Sequence, residues 1–178
     1  MNSPRQNGDG GNFPAERSTP AFRAAGEIPF VPFSWPVRVY WEDTDAGGVV
    51  YHASYLRFLE RARSEWLRAH GIDQLRVRDT LGVVFVVRDI AIEFLLPARL
   101  DDELDIELLA ASRRSASMTF SQRILRRVDG AVLTTARVRA ACVAAADFRP
   151  CRIPDNLFSQ QMFPEKKPMG HTDMENAN

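Results

Sequence analysis

The chain has 178 residues, 45% of them hydrophobic and 26% charged, which is enough for one domain with a real core. Its 23 basic and 23 acidic side chains cancel to a formal net charge of zero, which argues against a nucleic-acid binder driven by bulk charge and is compatible with self-association. Cys142 and Cys151 make neither a disulfide framework nor a zinc quartet and are expected as small apolar fillers; with no apolar run near the ~18 residues of a membrane span and no secretory signal, a reducing cytoplasm is the expected compartment.

Residues 1–34 are rich in Asn, Gly, Pro, Ser, Arg and Ala without periodicity, and are expected as a flexible leader. The folded domain is expected over 35–160 and a disordered tail over 161–178. Val37-Arg38-Val39-Tyr40-Trp41 is β-branched and aromatic, and reads as a strand. Glu42-Asp43-Thr44-Asp45-Ala46-Gly47-Gly48 then forms a sharp turn. Ser54 is the expected N-cap of a long helix that Gly71 stops. Tyr55, Phe58, Leu59, Ala62, Trp66 and Ala69 recur at three- and four-residue steps and form its buried stripe, while Arg57, Arg61, Arg63, Glu65 and Arg68 lie elsewhere, with Arg61 and Glu65 as an i,i+4 pair.

Ile72 to Thr80 reads as a connector with at most one helical turn. Val83 to Phe94 is a long strand, broken or bulged near Arg88-Asp89 and ended before Pro97. Glu103 to Ala111 alternates with period two, so one face is wet. Met118 to Val128 and Ala131 to Ala145 are two further strands joined by the Asp129-Gly130 turn. Ile153 to Phe163 is expected as a short terminal helix. The class is α+β: one long helix must bury its stripe on one face of an antiparallel sheet, and a dimer that extends the sheet follows from its unprotected edge.

The Asp45 carboxylate and the N-terminus of the long helix come from one short loop. Free backbone N–H groups at a helix start favour developing negative charge. By itself, Asp45 also fits a turn-capping residue, which is common in Gly-rich turns. Asp43, on the same side as Asp45 in an extended segment, is a competing carboxylate for any chemistry there, with a solvated or capping role as the expectation. Arg88, Arg113, Arg114, Arg126 and Arg127 are candidates for phosphate contacts, with surface solubility as the competing role. There is no P-loop, no G-x-G-x-x-G and no metal-ligand cluster, so no cofactor and no metal are expected.

The stretch Val39-Tyr40-Trp41-Glu42-Asp43-Thr44-Asp45-Ala46-Gly47-Gly48-Val49-Val50-Tyr51-His52-Ala53-Ser54-Tyr55-Leu56, continued by Phe58-Leu59-Glu60-Arg61-Ala62-Arg63-Ser64-Glu65-Trp66-Leu67, resembles the hotdog-fold acyl-CoA thioesterases. The resembling group includes 4-hydroxybenzoyl-CoA thioesterase and the Tol-Pal-associated acyl-CoA thioesterases. Ile90 to Phe94, Pro97 to Asp102 and Arg149 to Pro154 are similar to the same family, so the likeness covers about residues 36 to 157. It implies a hotdog fold, a long helix wrapped by an antiparallel sheet. It implies hydrolysis of an acyl-CoA, with Asp45 as nucleophile or general base and the backbone N–H near His52 polarising the thioester carbonyl.

On the same resemblance, Gly48, Val49, Tyr51 and Tyr55 are candidate substrate contacts, with core packing as the competing role for the tyrosines. A homodimer or homotetramer is implied, with cell-envelope or lipid-metabolism links for the Tol-Pal-associated members. Glu60 is a candidate hydrogen-bonding group near the site, with a salt bridge to Arg63 or a contact with Ser64 as the expected role. Two other functions stay open at this point: a hydratase on the same fold, and a non-catalytic module that binds acyl-CoA or docks on an envelope or lipid complex.

Overall fold

The computed structural model describes residues 32–158, so residues 1–31 of the expected leader, the expected tail and the second half of the expected terminal helix lie outside the described residues, whereas Phe33 and Ser34, expected as leader, belong to the first strand. A strand over Phe33–Arg38 (β1) leads, through a single 3-10 turn at Trp41–Asp43, to a helix over His52–Ala69 (α1). A second helix, Gln74–Leu81 (α2), precedes strands Val83–Phe94 (β2), Glu103–Arg113 (β3), Ser117–Arg126 (β4) and Val132–Ala144 (β5). All strand pairs are antiparallel, in the order β1-β3-β4-β5-β2. The meander β3-β4-β5 is the middle of the sheet, and the two strands made first in the chain are its two edges.

Alternation decides which face is buried. Leu104, Ile106 and Leu108 of β3 are fully buried, as are Met118, Phe120 and Ile124 of β4 and Val138 and Cys142 of β5. Burying each large side chain contributes about 1.5–3 kcal/mol. The α1 stripe covers this face with Tyr55, Phe58, Leu59, Ala62, Trp66 and Leu67. Near the end of the helix the stripe differs from expectation. Ala69 is exposed, while Leu67 and Arg63 are buried. Arg63 goes inside because β4 offers it a partner: its Nη1 donates to Gln122 Oε1 at 2.8 Å, and Gln122 Nε2 donates to the Leu59 carbonyl at 3.0 Å. Burial pushes the Arg63 guanidinium below its ordinary pKa. Glu65 pairs with Arg68 rather than with Arg61.

Both helices carry their own stop. Gly71 takes φ +76°, its N–H donates to the Arg68 carbonyl, and Ile72 N–H donates to the Leu67 carbonyl at 2.9 Å. That is a Schellman closure, with Leu67 and Ile72 packed in one apolar cluster. The connector after it is more helical than expected, because Asp73 Oδ1 accepts the Arg76 N–H at 2.9 Å and so caps two full turns. β2 has the expected bounds, and its register shifts between Val87 and Asp89, where the bulge was expected. β1 starts at Phe33 and ends at Arg38, four residues earlier at its start and three at its end than the Val37–Trp41 reading. No helix forms within 153–158, where a single Leu157 N–H to Pro154 carbonyl bond makes a turn.

Candidate active site

After β1 the chain stays on the sheet for one more residue: Val39 N–H donates to the Asp102 carbonyl at 3.0 Å. It then leaves the ladder because Asp43 captures it. The Asp43 carboxylate is 2% exposed and accepts the Tyr40 N–H at 3.1 Å, with Arg57 Nη2 at 3.4 Å from its other oxygen. The backbone carbonyl of Asp43 accepts the Tyr51 N–H at 2.8 Å and the Ser54 hydroxyl at 3.1 Å. One residue thus fixes the 3-10 turn on one side and the start of α1 on the other. Its carboxylate is a capping group, and a buried one. Paired in this way, it avoids the penalty of a lone buried charge.

The next seven residues form a closed loop. Thr44 and Val50 bridge, Asp45 N–H donates to the Val49 carbonyl at 3.0 Å, and Gly48 N–H returns to the Asp45 carbonyl at 3.0 Å. Gly48 has φ +73°, which the turn requires. Gly47 is needed for a different reason. Its N–H donates to Asp45 Oδ1 at 2.8 Å, and a Cβ at this position would lie 3.0 Å from that same oxygen. Asp45 is exposed, with one carboxylate oxygen held by the loop; among the described residues no hydrogen bond to its Oδ2 is recorded. Val49 is half-buried, and its contribution to the loop is its carbonyl.

The start of α1 is open. Its cap residue is Tyr51, which has φ −61° and ψ 134° and makes no side-chain cap bond. Ser54, expected as the cap, is the third helical residue, because its hydroxyl is drawn to the Asp43 carbonyl instead of to a helix amide. Ser54 N–H donates to the Tyr51 carbonyl at 2.8 Å, and among the described residues no acceptor is recorded for the His52 amide. The exposed His52 ring lies against the Tyr51 ring at 4.3 Å between centroids.

Tyr55 is placed differently from Tyr51. It is buried, and its hydroxyl accepts the Ala98 N–H at 2.9 Å. Burial, the largest effect on it, raises its pKa above the usual phenol value. Ala98 in turn accepts the Val50 N–H at 2.8 Å. The segment after β2 is therefore clamped between the Asp45 loop and the first turns of α1. The last residue of β2, Phe94, and the first two of this segment, Leu95 and Leu96, are half-exposed apolar side chains, and the Phe94 ring meets the Tyr55 ring at 5.4 Å. The sequence reading missed this shelf. Its signal was Leu95-Leu96 lying past the strand end and just before Pro97, where apolar residues have no sheet to cover them.

A groove of about 440 Å³ lies between α1 and β2, lined by Leu56, Arg57, Glu60, Arg61 and Arg63 from α1 and by Val87 and Ile90 from β2. Glu60 accepts the Ser64 hydroxyl at 2.7 Å. Of the five candidate phosphate arginines, Arg113 is held by Asp155, Arg126 by Asp129, and Arg127 by Asp105 and Glu103. For Arg88 and Arg114 no ion pair is recorded among the described residues. Among those residues, no group of three or more His, Cys, Asp or Glu side chains is placed to hold a metal ion, and no helix is long and apolar enough to cross a membrane.

Comparison with known proteins adds to this geometry. Residues 39–161 match the thioesterase-like superfamily. The acyl-CoA thioester hydrolase YbgC of Escherichia coli O6:H1 is 46% identical over 128 residues, which cover 72% of this chain and 94% of that one. The acyl-CoA thioesterase YbgC of Haemophilus influenzae is 44% identical over 125 residues, covering 70% and 90%. Among solved structures, the "Probable Thioesterase from Bartonella henselae" superposes with a TM-score of 0.65 at 38% identity, over 70% of this chain and 100% of that one.

Proposed function

The chain belongs to the thioesterase-like superfamily and is a thioester hydrolase, and from that membership we propose that it hydrolyses an acyl-CoA to a carboxylic acid and CoA at the Asp45 loop. The reading rests on one observation above the rest. A single closed loop presents a carboxylate with one oxygen held and the other open, and delivers it beside a helix start that lacks a side-chain cap.

The chemistry follows from these groups. The thioester carbonyl takes up negative charge as its carbon is attacked. The amide of His52, at the positive end of an 18-residue helix, is the donor for that oxygen. A donor of this kind contributes about 2.7–4 kcal/mol to the transition state. The open oxygen of Asp45 either attacks the carbonyl carbon directly or takes a proton from the water that does. In the first route the C–S bond breaks, CoA leaves as the thiolate, and water then cleaves an acyl-aspartyl anhydride. In the second, water adds once and CoA leaves. Tyr51 and the shelf of Phe94, Leu95 and Leu96 are apolar surface for the acyl chain near the loop. The backbone of Gly48 and Val49 borders the reacting group. Tyr55 acts here through the shelf it clamps.

The test is CoA release, followed with a thiol reagent, across short-chain, long-chain and aromatic acyl-CoA esters, with Asp45→Asn alongside. Turnover of one ester class that the variant loses supports the reading. Near wild-type turnover in the variant sinks it. A single turnover in ¹⁸O-water tests for the anhydride route: label on the Asp45 carboxylate, left when water attacks the aspartyl carbonyl of the anhydride, has no source in the general-base route.

We also infer that β2 is the edge through which two copies join. It is a twelve-residue strand whose outer side pairs with no other strand among the described residues, and Val87 and Ile90 are 49% and 37% exposed beside the groove. The other edge, β1, is half that length and is interrupted by Pro36, which has no N–H to donate. Ile90→Lys should reduce the molar mass measured by light scattering to that of one chain. A variant that keeps the wild-type mass would place the contact elsewhere.

A further inference from the structure

Cys142 lies on β5, and Cys151 lies on the segment that returns beside it. Val143 and Pro150 bridge antiparallel, Ala144 N–H donates to the Arg149 carbonyl at 2.9 Å, and Cys151 N–H donates to the Cys142 carbonyl at 3.0 Å. The two cysteines therefore stand directly opposite each other across a short ladder. Directly opposed, hydrogen-bonded residues have Cα atoms about 5.5 Å apart, inside the range of roughly 4.4–6.8 Å that a disulfide spans. Both thiols are free, and their sulfurs lie 3.6 Å apart. They are also the only two cysteines in the chain, so within one chain only one pairing exists.

We propose that Cys142 and Cys151 form a thiol–disulfide couple, a modification site closed by a low-molecular-weight disulfide, which staples the segment after β5 to the sheet. Cys151 is the more accessible of the two and reacts first. Its thiolate attacks one sulfur of the external disulfide, that S–S bond breaks, and one small thiol leaves. Cys142 then gives up its proton and attacks the Cys151 sulfur, and the second small thiol leaves. Two protein thiols lose two electrons, and one external disulfide becomes two thiols. Burial, with the neighbouring Cys151 thiol, pushes the Cys142 thiol up to about 12. The second step is therefore the slow one.

The consequence is local. Ile153 and Phe158, carried on the stapled segment, lie in the same apolar cluster as Trp66, Val77, Val83 and Cys142. Ile153 N–H also donates to the Ser115 carbonyl at 2.8 Å. The bond holds this plug in place, and closing so short a loop raises the thermal midpoint by roughly 5–10 °C. The Asp45 loop is at the other end of α1, so closure leaves hydrolysis as it was.

The experiment treats the full chain with oxidised glutathione, then measures intact mass, free thiols after denaturation, and the thermal midpoint. The expected product has lost two hydrogens, shows no free thiol, retains no glutathione, and melts higher. Cys151→Ala should instead end with a glutathione adduct or a free thiol, at an unshifted midpoint. Two persisting thiols, a stable glutathione adduct on the native chain, or a disulfide between two chains would overturn the proposal. So would closure with no rise in the midpoint.

Discussion

The two ends of α1 are built to opposite rules. At its C-terminal end three of the last carbonyls find donors: His70, Gly71 and Ile72 turn their N–H groups back on Trp66, Leu67 and Arg68. Trp66 is 1% exposed there, packed edge-on to Phe120 at 5.9 Å. At the N-terminal end the cap is missing, and Trp41, Tyr40 and Tyr51 are 79%, 59% and 45% exposed. A side-chain cap is worth about 1 kcal/mol, so leaving it out has a cost. The closed end supplies stability that lets the open end keep its amides and its carboxylate available. On the proposed function, chemistry and cohesion are separated along one helix by about 25 Å, at about 1.5 Å per residue.

Substitutions at each end test that separation. The largest effect is expected from Asp45→Asn, which should lower kcat/KM by about 10²–10⁴ in the CoA-release assay and leave the urea midpoint where it was. A variant that instead unfolds would make Asp45 a turn-former and erase the contrast. Trp66→Ala is the mirror case. It should remove about 3–5 kcal/mol of stability in urea titration, while the chains that stay folded keep their turnover number. A folded but inactive Trp66→Ala protein would show that the two ends are coupled. Gly47→Ala sharpens the contrast within the open end. Its added Cβ crowds Asp45 Oδ1 and not the core, so kcat/KM should fall about tenfold, equivalent to ~1.4 kcal/mol, with little change in stability. Unchanged kinetics would mean that the position of the held oxygen is not important.

Much of this was legible in the sequence where the physics is local. The β2 run could be read, bulge included, because Arg88-Asp89 interrupts a β-branched stretch and Pro97 closes it. The Gly71 stop could be read because a helix that ends in a glycine has few other options. What failed was set by partners distant in sequence. Tyr40 and Trp41 have strand propensity, but the Asp43 carboxylate takes the Tyr40 amide and makes a turn. Ser54 has the right chemistry for a cap, but the Asp43 carbonyl competes for it. Arg63 looked like a surface charge until Gln122 arrived from β4. The contact of Cys142 with Cys151 depends on how the chain returns beside β5, for which no local pattern exists. At the candidate site, the tight turn that carries Asp45 was legible from its paired glycines, whereas the Phe94–Leu96 shelf required the strand order to be known.

That strand order also sets a calendar. A chain is made from its N-terminus, at about 5–20 residues per second. β1 pairs with residues of β3, and β2 pairs with Thr134 to Ala144 of β5, the last strand to be made. The most apolar strand of the sheet, Val83 to Val87 at its head, therefore leaves the ribosome about 2–10 s before β5, its sheet neighbour among the described residues, exists. For that interval its N–H and C=O groups and its β-branched side chains are offered to whatever is nearby. The edge that the finished protein presents outward is the same edge that the growing protein must shelter from its surroundings during translation.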